Sequence, residues 1–264
     1  MARIGTVESL WRYPVKSMRG EEASKVFVGF SGIYGDRVYA FKSSASEKCF
    51  PYLTGRELEA MLLYKPKFHN PVVSDLPVYL AEAENAAPGL NPCFDDPNNL
   101  SVDVETPSGE RFTIDDPGLC NQIRQALDDE TDLTLLRSDR SLTDCRPISL
   151  ISSQTIGQLS SEVGEPVDPR RFRANLYLDL NGAEGFAEDA YVGQTIAIGP
   201  KVRISILERD PRCKMITLDP ETAKINPRVL QHIGRDHEGH AGVYGAVLVE
   251  GVVCQGDPVE LMVE

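Results

Sequence analysis

The strongest constraint on this chain is a rhythm of short apolar alternations broken by turn residues. Twelve stretches read as strands, among them Arg3–Leu10, Lys25–Phe30, Arg37–Lys42, Lys67–Val73, Leu133–Arg137, Ala174–Leu180, Val202–Leu207 and Val243–Glu250. Gly, Pro, Asn and Asp clusters separate most of them, and residues 194–207 read as a hairpin turning at Gly199-Pro200. Helical spacing is convincing over Ser153–Val163, where Ile156, Leu159 and Val163 share a face, and over Leu119–Leu127. A shorter helix is expected at Pro227–Ile233, and no fixed-period repeat is present. The expectation is a mainly β chain with a few helices, of barrel or sandwich type.

At 264 residues the chain is long enough for one large domain or two modest ones. Hydrophobic residues at 41% and charged ones at 25% exclude a disordered chain, a collagen-like repeat and a long coiled coil. The net charge of −13 argues against nucleic acid or anionic lipid as partner, so an anionic ligand must find a local basic pocket. Residues 103–132 carry nine acids against Arg111 and Arg124, whereas residues 168–176 and 201–214 are net basic. Such an acidic stretch reads first as a solvated face. Six cysteines, at 49, 93, 120, 145, 213 and 254, make no CxxC pair, which fits free thiols in a reducing compartment. With no apolar leader and no membrane-length apolar run, the cytoplasm is the expected location.

Three constellations can carry chemistry. In residues 168–176, three arginines and an asparagine run towards a strand, and strand alternation would set Arg171, Arg173 and Asn175 on one side, where guanidinium forks suit a phosphate or a planar heterocycle. Pairing with nearby acids is the plainer alternative. In residues 208–214, Cys213 follows a strand and a Pro turn between Arg212 and Lys214, cations that favour the thiolate able to attack or to bind a metal. Tyr13-Pro-Val-Lys16-Ser17 and Gly35-Asp36-Arg37 each place a cation at a strand end and are weak signals alone. His232, His237 and His240 crowd together, but His237-Glu-Gly-His240 is one residue short of the HExxH spacing, and Gly239 and Gly242 argue for a loop.

In order, YPVKS, GDR, PISLIS opening a helix, RFRAN, PRCKMITLDPET and a closing GDPVEL resemble the MOSC-domain proteins over nearly the whole chain. The likeness is to the two-part members, such as the mitochondrial amidoxime reducing component. It implies an N-terminal β-barrel-like domain at residues 1–120 and a β-barrel MOSC domain at residues 121–264. It further implies molybdopterin-bound molybdenum with Cys213 as the metal ligand and catalytic centre. Lys16, Ser17, Arg37, Arg171, Arg173, Asn175 and Arg212 would hold the pterin and its phosphate, and Ser152 would face the same anion from a helix N-terminus. The pattern's FRPN reads Phe-Arg-Ala-Asn here, with Ala174 for Pro, and Met18 stands where relatives often carry Cys. The iron–sulfur electron-carrying module of some members has no counterpart, so a separate one-electron donor protein is expected. The implied activity is reductive removal of oxygen from N-hydroxylated small molecules. A non-catalytic cofactor carrier and a Cys213 persulfide sulfur-transfer protein are the rival readings.

Overall fold

The computed structural model describes residues 2–77, 80, 96–127 and 131–262; Cys93 lies outside them. Seven strands close a barrel in the order β11 (Leu176–Leu180), β10 (Ile148–Ser152), β14 (His240–Val249), β13 (Val202–Pro211), β12 (Thr195–Ile198), β16 (Pro258–Leu261) and β1 (Ala2–Arg12), with β1 returning to β11. β2 (Glu21–Ala23) extends β1 outside the ring. Closure needs β1 and β11 to pass tightly at Gly5, where a Cβ would stand 2.2 Å from the Asp179 carbonyl oxygen. The barrel is filled by aliphatic residues such as Val7, Leu10, Ile148, Leu178, Ile204 and Val259. Burying one such side chain contributes about 1.5–3 kcal/mol.

A second core gathers Val15, Met18, Val38, Phe41, Met61, Val104 and Leu119. Around it lie the pair β5 (Tyr39–Ser43) with β9 (Leu133–Arg137), and the three-stranded sheet of β6 (Lys65–Phe68), β7 (Val102–Glu105) and β8 (Arg111–Thr113). The helix Pro117–Arg124 packs here through Leu119 and Ile123. β3 (Lys25–Gly29) pairs with β4 (Gly32–Ile33) and with β15 (Gly251–Cys254). The two cores do not divide the chain at residue 120. β1 belongs to the barrel built by the C-terminal half, and β9 belongs to the other core.

A third core, outside the barrel, holds the helices Ser153–Val163 and Arg228–Asp236 against Phe172, Ala174, Ile216 and Ile151. The first helix has the expected bounds, with Ser152 as N-cap and Gly164 in the left-handed conformation at its end. Two sequence expectations change. The strand expected over Lys67–Val73 stops at Phe68, because Pro71 starts a helical turn, Pro71–Ser74. The PISLIS segment, Pro147–Ser152, forms β10 before any helix begins; all five β10 residues are buried, so the strand shows no alternation to read.

Candidate functional site

One cleft collects the basic residues that the sequence singled out. Lys16, Ser17, Arg37, Arg171, Arg173, Asn175, Arg212 and Cys213 all line it, around about 740 Å³ of empty space, open mouth included. Its lining carries six cations, Arg146 among them, against Asp144 and Asp210. The site is therefore formally +4 in a chain of −13.

Backbone pairing welds the first two segments together. The Lys16 amide donates to the Tyr39 carbonyl and the Arg37 amide to that of Tyr13. Asp36, buried, accepts from the Tyr13 amide at 2.8 Å and pairs with the Arg37 guanidinium. From there Arg37 Nη2 donates to the Arg173 carbonyl at 3.0 Å, and Arg173 Nη1 donates to that of Met18 at 2.8 Å. Both guanidiniums lie over the Tyr13 ring, at 4.7 and 4.2 Å from its centroid. Arg173 Nη2 is buried with no protein partner. Burial, against weaker attraction from Tyr13 and with repulsion from Arg37, pushes the Arg173 pKa down to about 10.

Lys16 is buried, its Nζ donating to the Leu142 carbonyl at 2.6 Å and paired with Asp144. Burial pulls its pKa down against that carboxylate. Burial pushes the Asp144 carboxyl up, but Lys16, its hydrogen bond, Arg37 and Arg56 together hold it below the usual carboxylate range. Asp144, like Arg146, comes from residues 138–147, a loop that no local motif marks.

The residues of 168–176 reach the cleft by another route than strand alternation. Asp168 caps the short 3-10 turn Pro169–Phe172, Arg173 follows it at φ 52°, and the strand begins only at Leu176. Arg171 then reaches the carbonyls of Ile216 and Thr217 and the Asp219 carboxylate, at 3.5, 3.0 and 3.1 Å, fastening the turn that follows Cys213. Asn175 lines the cleft but spends its amide on structure, accepting from the Ser149 amide and donating to the Trp11 carbonyl.

Cys213 is half-buried and opens the 3-10 turn Lys214–Thr217, anchored in the third core by Ile216. Shifts of register between β13 and β14 bend the strand that delivers it. Each neighbouring cation has its own carboxylate. Arg212 sits 2.8 Å from Asp210, as an ion pair whose N–H does not point at the oxygen, and donates to the Ala241 and Phe172 carbonyls. Lys214 turns out of the cleft to Glu59 and the Arg56 carbonyl. Gly242, at φ 77°, leaves room for this arrangement, since a Cβ there would meet the Leu150 carbonyl oxygen at 2.6 Å. Asp210, three residues before Cys213, is buried and accepts from Ser149 Oγ at 3.0 Å and from the Tyr244 hydroxyl; burial pushes its carboxyl up.

Ser152 does not line this cleft. It is fully buried, its hydroxyl accepting from the Thr155 amide and facing Glu188 Oε2 at 2.7 Å. The sequence reading places the cofactor's anion at this helix N-terminus; the group the structure sets there is the Glu188 carboxylate. Glu188, buried, also takes the Ser152 amide and the Thr155 hydroxyl. Two of the three crowded histidines are tied into the structure: His237 stacks on Phe186 at 3.8 Å and bonds Glu162, and His232 contacts the Glu162 carbonyl. Among the described residues no group of three His, Cys, Asp or Glu side chains could hold a metal.

Residues 137–260 match the MOSC domain. The chain carries a MOSC domain. Outside that domain, its β1 completes the barrel and Lys16, Ser17 and Arg37 complete the cleft. Mitochondrial amidoxime reducing component 2 of Macaca fascicularis is 21% identical over 247 residues, covering 86% of this chain and 70% of that protein. The Rattus norvegicus protein of the same name is 34% identical over 83 residues, so the matched part spans 31% of this chain and 23% of the relative's length. The YuaD protein from Bacillus subtilis, a solved structure, is similar over 97% of this chain and 94% of its own, at a TM-score of 0.48 and 14% identity. YiiM from Geobacillus stearothermophilus is similar over 45% of this chain and 55% of its own, at 0.36 and 21%. No described helix is long and apolar enough to cross a membrane.

Proposed function

We propose that this chain is a molybdenum-cofactor oxidoreductase that removes oxygen from N-hydroxylated small molecules, with Cys213 as its protein ligand to the metal. One observation carries the reading. A thiol and a surplus of guanidinium and ammonium groups, drawn from both ends of the chain, converge on one cleft beside a MOSC domain's bent strand. The names of the relatives support the substrate class.

The donor set fits the cofactor. A soft thiolate suits molybdenum, whose other ligands arrive with the pterin dithiolene, and a terminal phosphate needs cations that are not already neutralised. The buried, unpartnered Arg173 Nη2 is such a donor. Lys16, Ser17, Arg37, Arg173 and Arg212 would hold the pterin and its phosphate, while Arg171 positions the Cys213 turn and Asn175 ties the strands behind it. The bound cofactor supplies two-electron redox chemistry. Each turnover takes two electrons and two protons, and converts an N-hydroxy group to N–H plus water. Asp210, kept protonatable by burial, and the Tyr244 hydroxyl bonded to it can hold a proton beside Cys213. With no nucleotide-binding GxGxxG motif and no four-Cys cluster in the sequence, electrons come from a separate flavin or iron–sulfur protein.

The test is metal and pterin analysis of protein made in a host that synthesises the cofactor, followed by assay on an amidoxime with a reduced viologen. Stoichiometric molybdenum and turnover with the viologen, but none with NADH alone, are expected. Stoichiometric cofactor without turnover from any donor would favour a carrier, and absence of molybdenum would overturn the reading.

A further inference from the structure

A second cavity, which shares Arg173 with the cleft but does not include Cys213, encloses about 670 Å³ with its mouth. Trp11, Arg19, Glu22, Leu62, Arg170 and Arg173 contribute to its lining. Trp11 and Leu62 give it flat and apolar surface. Its lining holds three guanidiniums against the carboxylate of Glu22; Asp168 and Glu221, which are not part of the lining, pair with Arg170, and Glu221 also pairs with Arg19.

Two features mark it as a built anion site. Arg19 Nε is buried with no protein partner, so a donor has been withdrawn from water without compensation. Arg19 and Arg170 also converge on one carboxylate, that of Glu221, at 2.8 and 2.6 Å. Glu221 is about half exposed, with 52% of its side chain accessible, so an incoming anion can replace it without opening the core. The geometry of two guanidiniums already clamping one carboxylate is the geometry that recognises another.

We propose that this cavity binds a small planar aromatic anion, a ring bearing a carboxylate or a phosphate, with the ring against Trp11 and the charge between Arg19 and Arg170. The site is independent of the molybdenum reading, because none of its argument uses Cys213 or a bound cofactor. Its occupancy would also be felt at the cleft. Arg173 lines both cavities, and Glu221 stands two residues after Asp219, which Arg171 ties to the Cys213 turn.

Trp11 is the only tryptophan in the sequence, so the isotope-labelled chain gives a single indole N–H resonance; Trp11 lines both this cavity and a neighbouring open groove with Pro166 and Asp168, and Arg19, which lines only the cavity, tells the two apart. Benzoate and phenyl phosphate, titrated separately, distinguish the carboxylate from the phosphate form. At least one is expected to move the resonance saturably, whereas benzamide and inorganic phosphate should bind at least about tenfold more weakly. Arg19→Gln should weaken binding at least about tenfold, and Glu221→Gln, which removes the carboxylate shared by the two guanidiniums while Asp168 still holds Arg170, should tighten it. Both side chains lie near the surface, and an unchanged unfolding midpoint confirms that the variants fold. The proposal is overturned if neither anion gives a saturable shift, if benzamide binds as well as benzoate, or if Arg19→Gln binds as wild type does.

Discussion

Replacing Arg173 with Gln is expected to strengthen the cofactor-free protein and weaken its hold on cofactor. Burial brings the Arg173 pKa from 12.5 to about 10, and at about 1.4 kcal/mol per unit this sets a ceiling of about 3 kcal/mol on the cost of keeping the charge there. Against that stand the hydrogen bond to the Met18 carbonyl and the stacking over Tyr13, about 1 kcal/mol each. Gln is expected to leave a net gain of about 1 kcal/mol, which raises the midpoint by about 2–4 °C in a chain of this size. The sign of the linkage is definite. A cation whose folded pKa is depressed destabilises wherever it is charged, and the penalty disappears only as pH rises through about 10, so the gain should be constant over roughly pH 6–9. With cofactor present the same variant lacks a charge-assisted donor, a loss of about 1.5–3 kcal/mol or roughly 10–150-fold in retention. Urea unfolding of the cofactor-free protein and pterin content of the loaded protein read the two effects. Destabilisation beyond about 1 kcal/mol, or unchanged pterin content, would refute the reasoning.

Cys213→Ser should abolish reductase activity and alter the molybdenum spectrum, with stability kept within about 1 kcal/mol because the residue is half-buried, whereas Cys254→Ser should leave activity intact. Ser152→Ala should lower stability by about 1–2 kcal/mol through loss of the helix cap, with pterin content unchanged. Lys16→Gln should lose cofactor while the cofactor-free fold changes little at neutral pH, because relief of the buried ammonium is offset by the loss of Asp144's partner; pterin content and the unfolding midpoint check both. Asp189, with its carboxyl pushed up to about 6 by burial and Glu188, destabilises the fold when ionised. Asp189→Asn should therefore add about 1 kcal/mol above pH 6, discounted for partial exposure, and the gain should fade as pH falls from about 6 towards 3.8 in denaturant titrations.

How much of this was legible in the sequence follows from the physics of each signal. Alternation exposes strands with one solvated face, and Leu133–Arg137 and the helix Ser153–Val163 appear with the bounds expected. It fails for β10, buried on both faces, and it overextends at Lys67–Val73, where Pro71 ends the strand. Topology was not legible at all: that β1 closes a barrel made otherwise of residues 148–261 depends on the clearance at Gly5 and on pairings far apart in sequence. At the site, local motifs marked the cations and Cys213 because their residue types are unusual in an acidic chain. They did not mark Asp144, Asp210 or Tyr244, whose positions beside the cleft arise only from folding. Ser152 misled because a helix N-terminus announces a preference for an anion and says nothing about whether that anion is a ligand or, as here, Glu188.

The cleft also concentrates backbone strain. Ser17, Arg37 and Arg173 have φ values of 67°, 48° and 52°, and they are three of the six non-glycine residues with positive φ among the described residues. Each such conformation costs on the order of 1 kcal/mol or more and persists only where its surroundings over-determine it. Those surroundings are identifiable. Ser17 precedes Met18 and Arg37 precedes Val38, both buried in the second core, while Arg173 is held between Phe172 and Ala174 of the third. Side chains packed in two different cores thus lock three strained residues at the seam between them. A surplus of positive charge and three left-handed backbones both destabilise the cofactor-free protein, and a bound anion relieves only the first. The strain is therefore the constant part of the site, fixing the cations in place before any ligand arrives, and the charge is the part a ligand answers.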